Sequence, residues 1–102
     1  MPGYRFLPQA IEDLDEIWER IAQDNLDAAE RLIDEFESAC QSLAQIPLLG
    51  VSRPDLTHES LRFLSVRRYL IVYDPSTMPI RIIAILHGMR DVRTIDRIIA
   101  ER

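Results

Sequence analysis

Lysine is absent from this sequence. All twelve cationic side chains among the 102 residues are arginines, set against seventeen acids and two histidines. With a pKa above ~12, arginine can hold carboxylates and phosphates but is no general base. Acid–base work is left to His58, His87, the tyrosines and the carboxylates. Cysteine occurs once, as Cys40, which excludes an internal disulfide and fits a reducing compartment. Three glycines are too few for a Gly-rich phosphate cradle or a dinucleotide fingerprint, and no collagenous or low-complexity run exists. The longest uninterrupted apolar stretch, Ile82 to Leu86, falls far short of the ~18 residues of a membrane helix. Residues 1–10 lack the apolar core of a secretory leader, so none is expected. Two histidines and one cysteine do not make zinc-ligand spacing, and neither a metal nor a cofactor is expected.

What is present suits one cytoplasmic domain over residues 1–102. A chain of this length buries roughly two-thirds of its unfolded surface, enough for a single core. Its charge is divided along the chain. Residues 1–50 hold three arginines against eleven acids, a balance of −8, and residues 51–102 hold nine arginines against six acids, a balance of +3. Either the halves pack side by side, or the second presents a basic face to an acidic partner. The isoelectric point near 4.9 argues against direct nucleic-acid binding.

Tyr4 to Leu7 is β-like and closes at Pro8, which predicts a short edge strand. Ile11, Leu14, Ile17, Trp18 and Ile21 then recur at helical spacing, with acids opposite them in the first turns. A second helical stripe runs through Leu26, Ala29, Leu32, Ile33, Phe36, Cys40, Leu43 and Ile46. Asn25 is its expected N-cap, and Pro47 and Gly50 stop it. Cys40 and Trp18 are read as core residues. Residues 47–60 read as a connecting loop, in which Val51 and Leu56 are candidates for exposure. Three strands are expected next, Leu61 to Val66, Tyr69 to Asp74 and Ile80 to His87, joined by short hairpins, the last strand central and apolar on both faces. A closing helix carries Val92, Ile95, Ile98 and Ile99. The order β-α-α-β-β-β-α predicts an α+β fold, with a helix hairpin packed on a small, mostly antiparallel sheet.

The chemistry-bearing cluster is Arg62, Arg67, Arg68, Arg81 and Arg90 around His87 and Asp91, which the hairpins could gather at one end or face of the sheet. Such a set suits an acidic peptide, a protein surface or a phosphate backbone. His87 is the one catalytic candidate. The reading the sequence favours over catalysis is a strand-end imidazole, bonded to backbone or to Asp91, that fixes the loop into the last helix.

Together these segments resemble the ParE branch of the RelE/ParE toxins of bacterial type II toxin–antitoxin systems. The resemblance is carried by AIEDLDEIWERIAQDN, AAERLIDEFESACQSLAQIPLLG, LRFLSVRRYLIVYD and IIAILHGMRD, in that order, from Tyr4 to Val92. It implies a toxin that a ParD-like antitoxin neutralises in a hetero-oligomer, with Tyr69, Tyr73 and Arg81 as antitoxin contacts. ParE-like members poison DNA gyrase, and RelE-like members cut messenger RNA in the ribosome with lysine, arginine and tyrosine. The missing lysine favours gyrase inhibition by protein contact, through Arg62, Arg67, Arg68, Arg90, Arg93 and Arg97. The alternatives are mRNA cleavage using His87 and Arg90, and a weakly toxic module that keeps only antitoxin binding. Many relatives have glycine where this chain has Arg67, so the turn there is expected to be wider or strained.

Overall fold

Leu7 ends the first strand, β1 (Tyr4–Phe6), and Pro8 opens the first helix, α1 (Pro8–Ala22), in a computed structural model that describes residues 3–57, 59–88 and 97. Pro8 costs the helix nothing at its first position, where no intrahelical acceptor waits for an N–H. The first turn of α1 carries no acid, and Glu12 and Asp13 fall in the second. Helix α2 (Leu26–Gln45) starts as expected, with the Asn25 side chain accepting the Ala28 N–H at 3.0 Å. Four strands follow: β2 (Val51–Ser52), β3 (Arg62–Val66), β4 (Tyr69–Asp74) and β5 (Ile80–Leu86).

The sheet order is β1-β5-β4-β3-β2, antiparallel except that β1 runs parallel to β5. The α+β architecture and the element order through β5 are those expected. β2 was not: two residues of the presumed loop pair with Phe63 and Arg62, too short a segment to show an alternating pattern. The predicted closing helix, with Arg90, Asp91 and Arg93, lies outside the described residues, apart from Arg97, which is helical and exposed.

Both helices lie on one face of the sheet. Ala10 and Ile17 of α1, with Leu32, Phe36, Cys40 and Leu43 of α2, pack on Tyr69, Ile71, Tyr73, Ile80, Ile82 and Ile85. Truncating a side chain such as Phe36 in that layer to alanine costs about 3–5 kcal/mol. Burial, with the nearby charge of Glu37 adding to it, pushes the Cys40 thiol up to about 12, so Cys40 acts as a small apolar core residue. The opposite face holds a second cluster that includes Phe63, Val72, Ile83, Ala84 and Leu86. A bulge between β4 and β5 explains why β5 feeds both. Val72 pairs with Ala84 and Tyr73 with Ile82, which leaves Ile83 as an extra residue and puts Ile83 and Ala84 consecutively on the far face.

Beyond Phe6 and Leu7, no strand among the described residues lies on the β1 side of β5, and α1 supplies an acceptor. Asp13 Oδ2 accepts the Ile85 N–H at 2.9 Å, which satisfies a backbone donor that would otherwise be stranded at the sheet edge. Trp18 departs from expectation. It is 37% exposed, beside Leu14 and Ile33 in the outer groove between the helices. Val51 is 57% exposed, as expected, although it lies in β2, whereas Leu56 is partly buried against the second cluster.

Candidate functional site

The strands separate the arginines instead of gathering them. Arg62 and Arg81 sit at one end of the sheet, where β3 begins and β4 ends. Arg67, Arg68 and His87 sit at the other, about 17 Å away along the six residues of β4.

At the first end the arginines belong to the fold. Arg62 Nη1 donates to the Gly50 carbonyl at 2.7 Å and more weakly to Leu48 at 3.4 Å. Beside it the Tyr73 hydroxyl donates to the Pro47 carbonyl and accepts the Gly50 N–H, both at 2.8 Å. Gly50 is needed here, because a Cβ would lie 2.7 Å from the Tyr73 ring and 2.8 Å from the Phe63 carbonyl. These bonds close the turn that returns the chain from α2 to β2. Arg81 Nη2 donates to Asp74 at 3.2 Å, and Asp74 also accepts the Ser76 N–H and hydroxyl at 2.9 and 2.6 Å. Burial opposes ionisation of Asp74, but the bonds from Ser76 and Arg81 outweigh it and hold the carboxyl below its ordinary value.

Two expectations are corrected there. Tyr73 has no exposed surface to offer an antitoxin, and its hydroxyl is committed to backbone groups. Arg62 is a loop tether and not part of a shared arginine cluster.

At the second end the β3–β4 connection is a two-residue turn, Arg67–Arg68, between the paired residues Val66 and Tyr69. It is not widened. Arg67 takes φ +55°, the left-handed conformation that glycine adopts at no steric cost, so the strain anticipated at this turn falls on one residue. Its Nε donates to both Glu35 carboxylate oxygens, at 2.8 and 3.1 Å, and so ties the turn to α2. Tyr69 packs edge-on against Phe36 and stacks with His87, ring centroids 5.1 Å apart. Gly88, at φ +54°, lets the chain leave β5 past the same turn, where a Cβ would lie 2.9 Å from the Arg68 carbonyl.

Between this turn and the junction of the helices lies an open cavity of about 470 Å³. Arg67, Arg68, Tyr69 and His87 line it from the sheet, Arg20, Ile21 and Asp24 from the end of α1, and Arg31, Leu32 and Glu35 from α2. Arg20 and Arg31 were missed because they sit in the acidic half, where a summed charge of −8 hides them. The available signal was positional: they are the two helical cations in that half, on either side of the Asp24–Asn25 junction. Among the described residues no group of three or more histidines, cysteines or acids could hold a metal ion.

A helix hairpin is thus laid on one face of a small mixed sheet, with arginines at the hairpin junction. The structure is similar to a chain of the "Chromosomal ParDE TA system from P. aeruginosa", with a TM-score of 0.68 and 18% identity over 83% of this chain and 94% of that one. The family model described as "ParE toxin of type II toxin-antitoxin system, parDE" matches residues 4–92, and the chain belongs to that family. No curated protein matches the sequence. Among the described residues no helix is long and apolar enough to cross a membrane.

Proposed function

We propose that this ParE-family toxin inhibits DNA gyrase in the cytoplasm by protein–protein contact, without chemistry of its own, and that a ParD-like antitoxin holds it inactive. The family match over residues 4–92 carries this reading. The target surface is the second end of the sheet. Arg67 and Arg68 project from the turn and Arg97 is exposed on its helix, while Arg62 is withdrawn because the fold uses its guanidinium. Arg90 and Arg93 stay in the proposal on sequence grounds. Tyr69 and Arg81 remain the proposed antitoxin contacts, Tyr69 at the cavity wall and Arg81 beside Asp74.

Purified toxin added to a gyrase supercoiling reaction is expected to inhibit supercoiling or trap a cleavage complex, and its cognate antitoxin is expected to reverse the effect. Unchanged supercoiling at excess toxin would overturn the proposal. One observation supports ribosome-dependent mRNA cleavage as a second reading: His87 shares its cavity with Arg67 and Arg68, a proton carrier next to phosphate-binding groups. That reading requires cuts in a translated message that disappear in His87→Ala.

A further inference from the structure

The cavity at the helix junction holds more positive charge than the fold uses. Among the described residues four arginines, Arg20, Arg31, Arg67 and Arg68, line it against two acids, Asp24 and Glu35. Glu35 is engaged by Arg67. Arg20, Arg31 and Arg68 make no hydrogen bond or ion pair with any described residue, in a chain with seventeen acids to draw on. These three guanidiniums, without a partner among the described residues, come from three elements, α1, α2 and the β3–β4 turn, so tertiary packing and not sequence proximity brings them together.

We infer that this cavity binds a ligand bearing two or more phosphoryl groups, of about the size of a nucleotide. Glu35 shows what one carboxylate satisfies here, a single arginine. Three more guanidiniums call for more anionic oxygens than one carboxylate has, and a di- or triphosphate supplies them within one small molecule. A peptide would have to converge three acidic side chains on the same space and lose the rotamer freedom of each. Ile21, Ala28 and Leu32 give the lining an apolar part, and the stacked Tyr69 and His87 rings line it too. That surface can take a flat base while the guanidiniums hold the phosphates. Duplex DNA is a poor fit, because a concave cavity in a protein of net charge −5 presents too little positive surface to a rigid phosphate backbone.

The inference does not depend on gyrase, and its test uses the isolated full-length chain. Titration calorimetry without magnesium would compare ATP, inorganic pyrophosphate, adenosine and a pentaglutamate peptide. One ATP is expected to bind per chain, with adenosine at least about tenfold weaker, a loss comparable to that of one charge-assisted hydrogen bond. Arg31→Ala and Arg68→Ala are each expected to weaken ATP binding by a similar factor at an unchanged melting temperature, and Arg62→Ala is expected to leave it alone. Pyrophosphate as tight as ATP would also support the phosphoryl site, assigning it to free polyphosphate, whereas a preference for ATP assigns it to nucleotides. Three results would each overturn the inference: no saturable binding of either phosphate compound, binding indifferent to both substitutions, or tighter binding of pentaglutamate than of ATP.

Discussion

The two ends of the sheet use the same side chain in opposite ways. Where β3 begins and β4 ends, Arg62 and Arg81 are absorbed: one holds the turn after α2 through the Gly50 carbonyl, and the other pairs with Asp74. Where β3 turns into β4, Arg68 joins Arg20 and Arg31 around an open cavity with no side-chain partner among the described residues, while Arg67 is tied to Glu35. An arginine with a backbone carbonyl or a buried carboxylate to hold is explained by stability. The exposed Arg20, Arg31 and Arg68, which have no side-chain partner among the described residues, are not explained by stability in that way. Target binding is therefore to be sought at the hairpin-junction end, and substitutions of Arg62 and Tyr73 at the opposite end should report on folding.

The sharpest way to break this contrast is Tyr73→Phe. It strands the Pro47 carbonyl and the Gly50 N–H next to a buried ring, and is expected to cost about 2–3 kcal/mol in urea denaturation. Arg62→Ala, which removes a bond to the same turn, is expected to cost about 1 kcal/mol, whereas Arg68→Ala should stay within about 0.5 kcal/mol of wild type. Equal costs at Arg62 and Arg68 would erase the distinction between the two ends.

The acid limb of stability gives a further test. The Asp74 carboxyl is held below its ordinary value in the folded chain, so its contribution is complete above the unfolded value of ~3.9 and fades as pH falls through the lower folded value. Asp74→Asn is expected to lower stability at neutral pH and to flatten the fall below about pH 4 in thermal melts. An unchanged acid slope would mean that the Ser76 and Arg81 bonds do not favour the ionised form. Smallest is Arg67→Gly, which releases the left-handed strain but loses an exposed ion pair. The expected net gain is about 0.5 kcal/mol in melting experiments, and a net loss would show that the Glu35 tether outweighs the strain.

Much of this molecule was legible along the chain. The stripe from Leu26 to Leu43, the Asn25 cap and the apolar run of β5 are local patterns, and local patterns name helices and strands directly. The ordered segments ending in HGMRD were enough to place the family. β2 was not legible, because a two-residue strand owes its existence to the Phe63 and Arg62 backbone beside it. Tyr73 could not be told from a surface tyrosine until its hydroxyl was seen between Pro47 and Gly50, 26 and 23 residues away.

By itself, then, the sequence determined the class of fold, the family and the restriction to arginine, which follow from composition, periodicity and motif order. Only the tertiary structure decided which arginines the fold engages and which have no partner among the described residues. Pairing depends on acceptors brought close by packing. Charge summed over each half of the chain could not show that Arg20 and Arg31 of the acidic half would line one cavity with Arg67 and Arg68 of the basic half.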